Sequence, residues 1–134
     1  MHAVIQAAAI CALGIGLTLV VLGWSPSPSR ARARTIAARA QIESFQTACG
    51  AYRRDTGTFP SSQQGLAALR TRPAGVPRWD GPYLPKSIPL DPWGHPYIYE
   101  FPGPHPGEPG IASLGADGRP GGEGNDSDIV SWKQ

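Results

Sequence analysis

Three aspartates crowd into a glycine-rich stretch near the C-terminal end of the chain, GADGRPGGEGNDSDIV at residues 115 to 130. Asp126 and Asp128 are two residues apart, so an extended segment would point both carboxylates to one side. Asp117 follows an apolar run, GIASLG, that we expect to be the neighbouring strand. Carboxylates brought together repel unless a cation neutralises them, and oxygen ligands on a flexible backbone suit calcium better than zinc. A solvated acidic turn is the alternative.

Linear calcium motifs do not account for this loop. The letters GGEGND at 121 to 126 match the start of a calcium-binding nonapeptide repeat, but the chain has one copy, and Asp128 stands where the repeat needs an apolar residue. The EF-hand spacing is absent as well. A metal site here would therefore depend on the fold of the loop.

The histidines give no support to an enzyme. None of His2, His95 and His105 accompanies a Ser or Cys nucleophile in a recognisable motif, and no His/Cys cluster has zinc spacing. We interpret His95 as a residue of the turn DPWGH, in which Trp93 buries its ring while its N–H needs a partner. No catalytic residue is predicted.

An apolar segment, AVIQAAAICALGIGLTLVVLG, runs from Ala3 to Gly23 with only Gln6 and Thr18 as polar side chains. As a helix it would cover about 30 Å, the thickness of a bilayer core. It predicts a transmembrane helix over residues 1 to 24, with a cleaved signal peptide or a buried core helix as alternatives. The arginines that follow it favour a cytoplasmic side by the positive-inside rule.

Residues 25 to 56 are predicted to form an amphipathic stem helix. After Pro26 and Pro28, where a continuous helix must kink or break, apolar side chains recur at spacings of four and three. The stripe consists of Ala38, Ile42, Phe45, Cys49 and Tyr52. It would pack one face of the stem on a globular head, and Gly57 and Pro60 are expected to end the helix.

Residues 57 to 134 are predicted to form that head, with an α+β fold. A second helix is expected in SSQQGLAALRT, where the serines can cap it and Gln63 or Gln64 can complete a capping box. The connection that follows has no period, and we expect Trp79 and Tyr83 to pin it. The three predicted strands are PYIYEF at 96 to 101, GIASLG at 110 to 115 and DIVSW at 128 to 132, in an antiparallel meander against the stem.

The formal net charge of +2 is unevenly distributed. Residues 30 to 54 hold six arginines and one glutamate, whereas residues 100 to 134 hold six acids and two bases. This split favours neighbours that stack basic stem to acidic head, or a stem beside acidic lipid. Nucleic acid is not expected, because no aromatic residues interleave with the arginines. Cys11 and Cys49 are interpreted as apolar fillers and not as a disulfide.

Three stretches together resemble a known family. AYRRDTGTFPSSQQGLAAL, DPWGHPYIY and SLGADGRPGGEGNDSDIVSW are similar to the major pseudopilins, the G-type subunits, of bacterial type II secretion systems. The resemblance implies a type IV pilin-like fold and an inner-membrane anchor with the head in the periplasm. It also implies a helical homopolymer that works with minor pseudopilins and inner-membrane secretion components, and a C-terminal loop that binds calcium.

The expected calcium ligands come from the acidic loop. They are the side chains of Asp117, Asp126 and Asp128 and the backbone carbonyls of Leu114 and Arg119. Asn125 replaces Asp126 if the register differs by one residue, and Glu123 is expected to be solvated. The family's N-terminal glutamate, which pairs with a neighbouring subunit, would align with Ala7. A membrane-tethered, calcium-stabilised periplasmic binding domain that does not polymerise is therefore the alternative function.

Overall fold

The computed structural model describes residues 27 to 133. A long helix α1 (Pro28–Thr56) packs against a three-stranded antiparallel sheet made of β1 (Ile98–Glu100), β2 (Gly110–Ser113) and β3 (Ile129–Val130). The predicted α+β arrangement of a stem on a small sheet is confirmed. The predicted transmembrane helix lies outside the described residues, and no helix within them combines the length and apolar character needed to cross a membrane.

Helix α1 follows the predicted stem closely. It begins at Pro28, whose missing N–H costs nothing in the first turn of a helix. It ends at Gly57, which adopts φ 90° and donates its N–H to the Arg53 carbonyl over 2.8 Å, as the predicted stop requires. All five residues of the predicted stripe are buried, together with Ala48. None of residues 27 to 37 is buried, so residues 28 to 37 project from the head by about 15 Å.

The strands form the predicted meander in the order β1, β2, β3, although each is shorter than expected. Tyr99 pairs with Ile111, and Ser113 pairs with Ile129. Ile111, Ser113 and Ile129 are buried on the side of the sheet that faces α1. Gly115, with φ 73°, takes the backbone out of the extended conformation soon after Ser113, which shortens β2.

The predicted second helix is wrong for most of its length. The capping box does form, because Ser61 N–H donates to Gln64 Oε1 and Gln64 N–H donates to Ser61 Oγ, over 2.9 and 3.1 Å. Gly65 then adopts φ 60° and ψ −164°, a conformation that no α-helix contains. Only a 3₁₀ helix, Leu66–Leu69, follows it.

The long connection after this 3₁₀ helix is pinned as predicted. Trp79 Nε1–H donates to the Ala68 carbonyl over 2.7 Å, and Tyr83 N–H donates to the Leu69 carbonyl over the same distance. The Tyr83 hydroxyl also donates to Asp55 at the end of the stem. The two aromatic rings meet edge to face at 5.6 Å, so the connection is fixed to both the 3₁₀ helix and α1.

The stem stripe supplies the centre of the hydrophobic core. Phe45 is fully buried and meets the Tyr97 ring edge to face at 5.1 Å between centroids. Cys49, four residues further along the helix, is also buried, and this burial raises the pKa of the thiol to about 12. The thiol is therefore protonated and unreactive at neutral pH, which agrees with its interpretation as an apolar filler.

We expect Phe45→Ala to lower the free energy of unfolding by about 3 to 5 kcal/mol, because it leaves a cavity between the stem and Tyr97. Ile36→Ala is the matched control on the same helix: its side chain is 59% exposed, so its cost should stay within about 0.5 kcal/mol. Denaturant unfolding followed by tryptophan fluorescence measures both. Equal losses would show that the stem face does not form the core.

Candidate metal-binding loop

The acidic loop leaves β2 through a tight turn. Gly118 N–H donates to the Gly115 carbonyl over 3.4 Å, and Arg119 N–H donates to Asp117 Oδ1 over 3.0 Å. The Asp117 carboxylate thus accepts a bond from its own turn and remains exposed. Of the two predicted carbonyl ligands, Leu114 is half-buried at the start of the turn, whereas Arg119 is exposed at its end.

The returning side of the loop differs from the predicted extended segment. Residues Gly124–Asp126 form a 3₁₀ helix that starts from Gly124 at φ 57°, and the extended backbone resumes only at Ser127. The alternation argument for Asp126 and Asp128 is therefore wrong, since it requires both residues to lie in one extended segment. The Asp126 side chain is exposed, whereas Asn125 and Asp128 are half-buried.

Two glycines let the two sides of the loop approach closely. A Cβ at Gly122 would lie 2.5 Å from the Asp126 carbonyl oxygen, and one at Gly115 would lie 2.8 Å from the Ser127 carbonyl oxygen. Both glycines also have positive φ, which other residues rarely adopt. The sides are joined by the Ala116 N–H, which donates to the Asn125 carbonyl over 3.0 Å.

Two oxygen atoms in the loop are buried without a hydrogen-bond partner in the described part of the chain, Asn125 Oδ1 and Asp128 Oδ1. The other carboxylate oxygen of Asp128 accepts the Gly121 N–H over 2.9 Å, so the group is held in place. A buried acceptor without a donor is costly, and a cation would satisfy it. The donor set is oxygen only, which fits calcium.

The predicted carboxylates do not gather into a ready-made cluster. Within residues 27 to 133, no group of three or more His, Cys, Asp or Glu side chains is close enough to hold a metal. A site in this loop would thus depend on backbone carbonyls and the Asn125 amide as well as on carboxylates. Sequence reasoning ranked Asn125 behind Asp126, because the 3₁₀ helix that turns Asn125 inward has no strong signal in the sequence.

A buried carboxylate that sequence reasoning did not single out lies beside the loop. Asp91 is 4% exposed, and its Oδ1 accepts the N–H groups of Trp93 and His95 over 3.1 and 2.8 Å. Its Oδ2 accepts the Ser113 hydroxyl over 2.7 Å. The predicted DPWGH turn is confirmed, whereas the Trp93 Nε1–H is buried with no partner among the described residues. The one sequence signal for the Asp91–Ser113 pair is that Ser113 is a lone serine in the apolar strand GIASLG.

His95 connects the same turn to the loop. Its Nδ1 lies 3.1 Å from the Gly115 carbonyl oxygen and 3.9 Å from Asp91 Oδ1. Its ring also packs against Gly118, where an added Cβ would lie 3.0 Å from Nε2. The turn residue predicted from the sequence therefore contacts the proposed metal loop at two glycines.

Comparisons with known proteins agree with this architecture. The family described as type II secretion system (T2SS), protein G, matches residues 27 to 132. The type II secretion system core protein G of Pseudomonas aeruginosa is 43% identical over 98 residues, which cover 71% of this chain and 68% of that protein. The Vibrio cholerae protein of the same name is 41% identical over 98 residues, covering 71% and 66%. The chain thus spans about two thirds of the length of these relatives.

A solved structure shares the fold. The crystal structure of the major pseudopilin from the type 2 secretion system of enterohaemorrhagic Escherichia coli superposes with a TM-score of 0.64 at 31% identity. The match covers 78% of this chain and 90% of that one. With the family match across the stem, sheet and acidic loop, it shows that the chain belongs to the protein G family of the type II secretion system.

Proposed function

We propose that this chain is a structural subunit of a type II secretion pseudopilus, a helical homopolymer in the periplasm that helps drive protein export. The identity to core proteins G and the fold of a major pseudopilin support this role. The apolar segment at residues 1 to 24 would anchor the subunit in the inner membrane, with the head in the periplasm. Minor pseudopilins and inner-membrane secretion components would be its other partners.

The geometry of α1 is the observation that carries the proposal. One face of the helix is buried on the head from Ala38 to Tyr52, while residues 28 to 37 have no buried member. A helix that projects from its own head presents a bare surface that neighbours related by a screw axis can cover. No enzymatic role is proposed, because the family is a structural one.

Charge gives these neighbours an orientation. Arg30, Arg32, Arg34 and Arg39 are exposed on the stem, and none makes an ion pair within residues 27 to 133. The exposed acids Glu100, Glu108 and Glu123 lie on the head. These stem arginines and head acids do not pair with each other within the described residues. They can therefore attract the opposite charges of a second copy, which favours a stem-to-head arrangement.

We further propose that the acidic loop binds one calcium ion. The ligands would be drawn from Leu114, Asp117, Arg119, Asp126 and Asp128, with Asn125 as the alternative to Asp126. The buried, unpaired oxygens of Asn125 and Asp128 support the site and favour Asn125 over Asp126 in this set. When bound, the ion would neutralise the carboxylates and cross-link the two sides of a loop that has little apolar burial of its own.

Calcium should raise the melting temperature of the purified full-length chain by at least about 10 °C relative to chelator, since an ion at about 100 times its Kd stabilises the folded state by about 2.7 kcal/mol. Magnesium should substitute poorly, because it keeps its waters in a smaller octahedral shell. Asp117→Ala should abolish most of the shift, and the exposed Glu123→Ala serves as the matched control. A melting temperature indifferent to chelator would leave the loop an ordinary acidic turn.

The same melting experiment shows whether Asn125 or Asp126 is the calcium ligand. Asn125→Ala should reduce the calcium-dependent shift more than Asp126→Ala, because the Asn125 side-chain oxygen is buried and the Asp126 side chain is exposed. The reverse order would restore the sequence-based assignment of Asp126.

The head should be accessible from the periplasmic side of the membrane. Protease added to spheroplasts should digest residues 30 to 134 while an N-terminal tag stays protected. Digestion of the tag with protection of the head would mean that the stem arginines set a cytoplasmic orientation, and the proposed role in secretion would be wrong.

Reversing the charge of the projecting stem should weaken assembly more than folding. We expect Arg32→Glu with Arg34→Glu to reduce the yield of filaments several-fold while the melting temperature changes little, because both side chains are exposed. Arg78→Glu with Lys86→Glu, two exposed positions on the head, carries the same charge change as a control. Equal loss of filaments and stability, or no loss of either, would argue against the stem as an assembly surface and favour the tethered, non-polymerising alternative.

A further inference from the structure

We infer that Asp91 and His95 are positioning residues, which raise the calcium affinity of the acidic loop by holding the end of β2 in place. This inference rests on the proposed calcium site. Neither side chain belongs to the proposed ligand set. Asp91 instead accepts the Ser113 side-chain hydroxyl, and His95 contacts the Gly115 carbonyl, so the two contacts lie one residue before and one residue after Leu114.

The first contact is made through Ser113. Asp91 is buried and accepts three hydrogen bonds, two from its own turn and one from the Ser113 hydroxyl over 2.7 Å. Ser113 is fully buried and is the last residue of β2, and its oxygen also accepts the Gly115 N–H over 3.4 Å. The carboxylate thus fixes the residue that immediately precedes Leu114.

The second contact is made by His95 with Gly115, the residue after Leu114. The Gly115 carbonyl lies 3.1 Å from His95 Nδ1, and a carbonyl oxygen can only accept, so this bond places the imidazole proton on Nδ1. The His95 backbone N–H donates to Asp91, which ties the ring to the same turn. The peptide of Leu114 is therefore held between two fixed neighbours, and the ring against Gly118 continues the support past Asp117.

This arrangement suits the support of a metal site. Partners that orient ligands without touching the ion often matter nearly as much as the ligands, because a flexible donor must lose conformational freedom on binding. The returning side of the loop is joined to the outgoing side by the bond from Ala116 N–H to the Asn125 carbonyl, and Asp128 on that side also accepts the Gly121 N–H. Loss of the turn should therefore loosen the Leu114 side of the site more than Asp128, which keeps its own bond from Gly121.

The test compares calcium affinity of full-length variants by calorimetric titration with calcium chloride. His95→Leu should weaken binding about 10- to 100-fold, because it removes the donor to Gly115. His95→Asn should retain affinity near that of the unmodified chain, because its amide nitrogen can take the place of Nδ1. His105→Leu, at an exposed histidine of a neighbouring loop, is the matched control and should have no effect. Ser113→Ala should weaken binding by a similar factor through the other contact.

Melting in chelator distinguishes positioning from a merely structural role. The inference is overturned if His95→Leu lowers the melting temperature in chelator but binds calcium as tightly as the unmodified chain. It is also overturned if His95→Asn loses as much affinity as His95→Leu, because the hydrogen bond would then not be the cause. If the unmodified chain binds no calcium, the proposed site fails, and this inference fails with it. Binding by the unmodified chain and equal binding by all variants would refute the inference alone.

Discussion

The burial of one face of α1 is the interaction on which the rest of this structure depends. The sheet has strands of three, four and two residues, too short to form an independently stable layer. The stripe from Ala38 to Tyr52 gives those strands and the 3₁₀ helix a common apolar surface, and the core cluster is built around it. The head therefore shares its hydrophobic core with α1, and its loops must be held in place by other contacts.

These contacts are hydrogen bonds and aromatic packing, and they are made by residues between the helices and strands. Trp79 and Tyr83 tie the long connection to the 3₁₀ helix and to the end of the stem. The Asp91 carboxylate accepts hydrogen bonds within the turn before β1 and also accepts the Ser113 hydroxyl of β2. A buried carboxylate is tolerated here because three donors satisfy it, and each donor belongs to a backbone or side chain that the fold must hold in place. The acidic loop lies next to this network, and its Asn125 and Asp128 each keep one buried oxygen without a partner among the described residues.

Much of the fold could be predicted because it follows from periodic or local signals. The stem stripe, its stop at Gly57, the capping box at Ser61, and the order of the strands all depend on spacings that are visible in the sequence. The second helix is overpredicted because the capping box is a true start signal, whereas the chain leaves the helical conformation at Gly65, whose φ of 60° glycine adopts readily. The sequence predicts an extended segment at Asp126 because a single turn of 3₁₀ helix leaves no mark on the alternation pattern. The role of Asp91 could not be predicted, since its partner Ser113 is 22 residues away in sequence.

The bare first turns of α1 also separate two electrostatic environments. The helix rises about 15 Å between Pro28 and its first buried residue, Ala38, whereas charges in solvent are screened within about 8 Å at physiological ionic strength. Charges at the start of the helix and charges in the acidic loop are thus largely independent within one subunit. Changes in the charge of the loop, including the binding of a divalent cation, would be felt through contacts between neighbouring molecules and not along the stem of the same molecule.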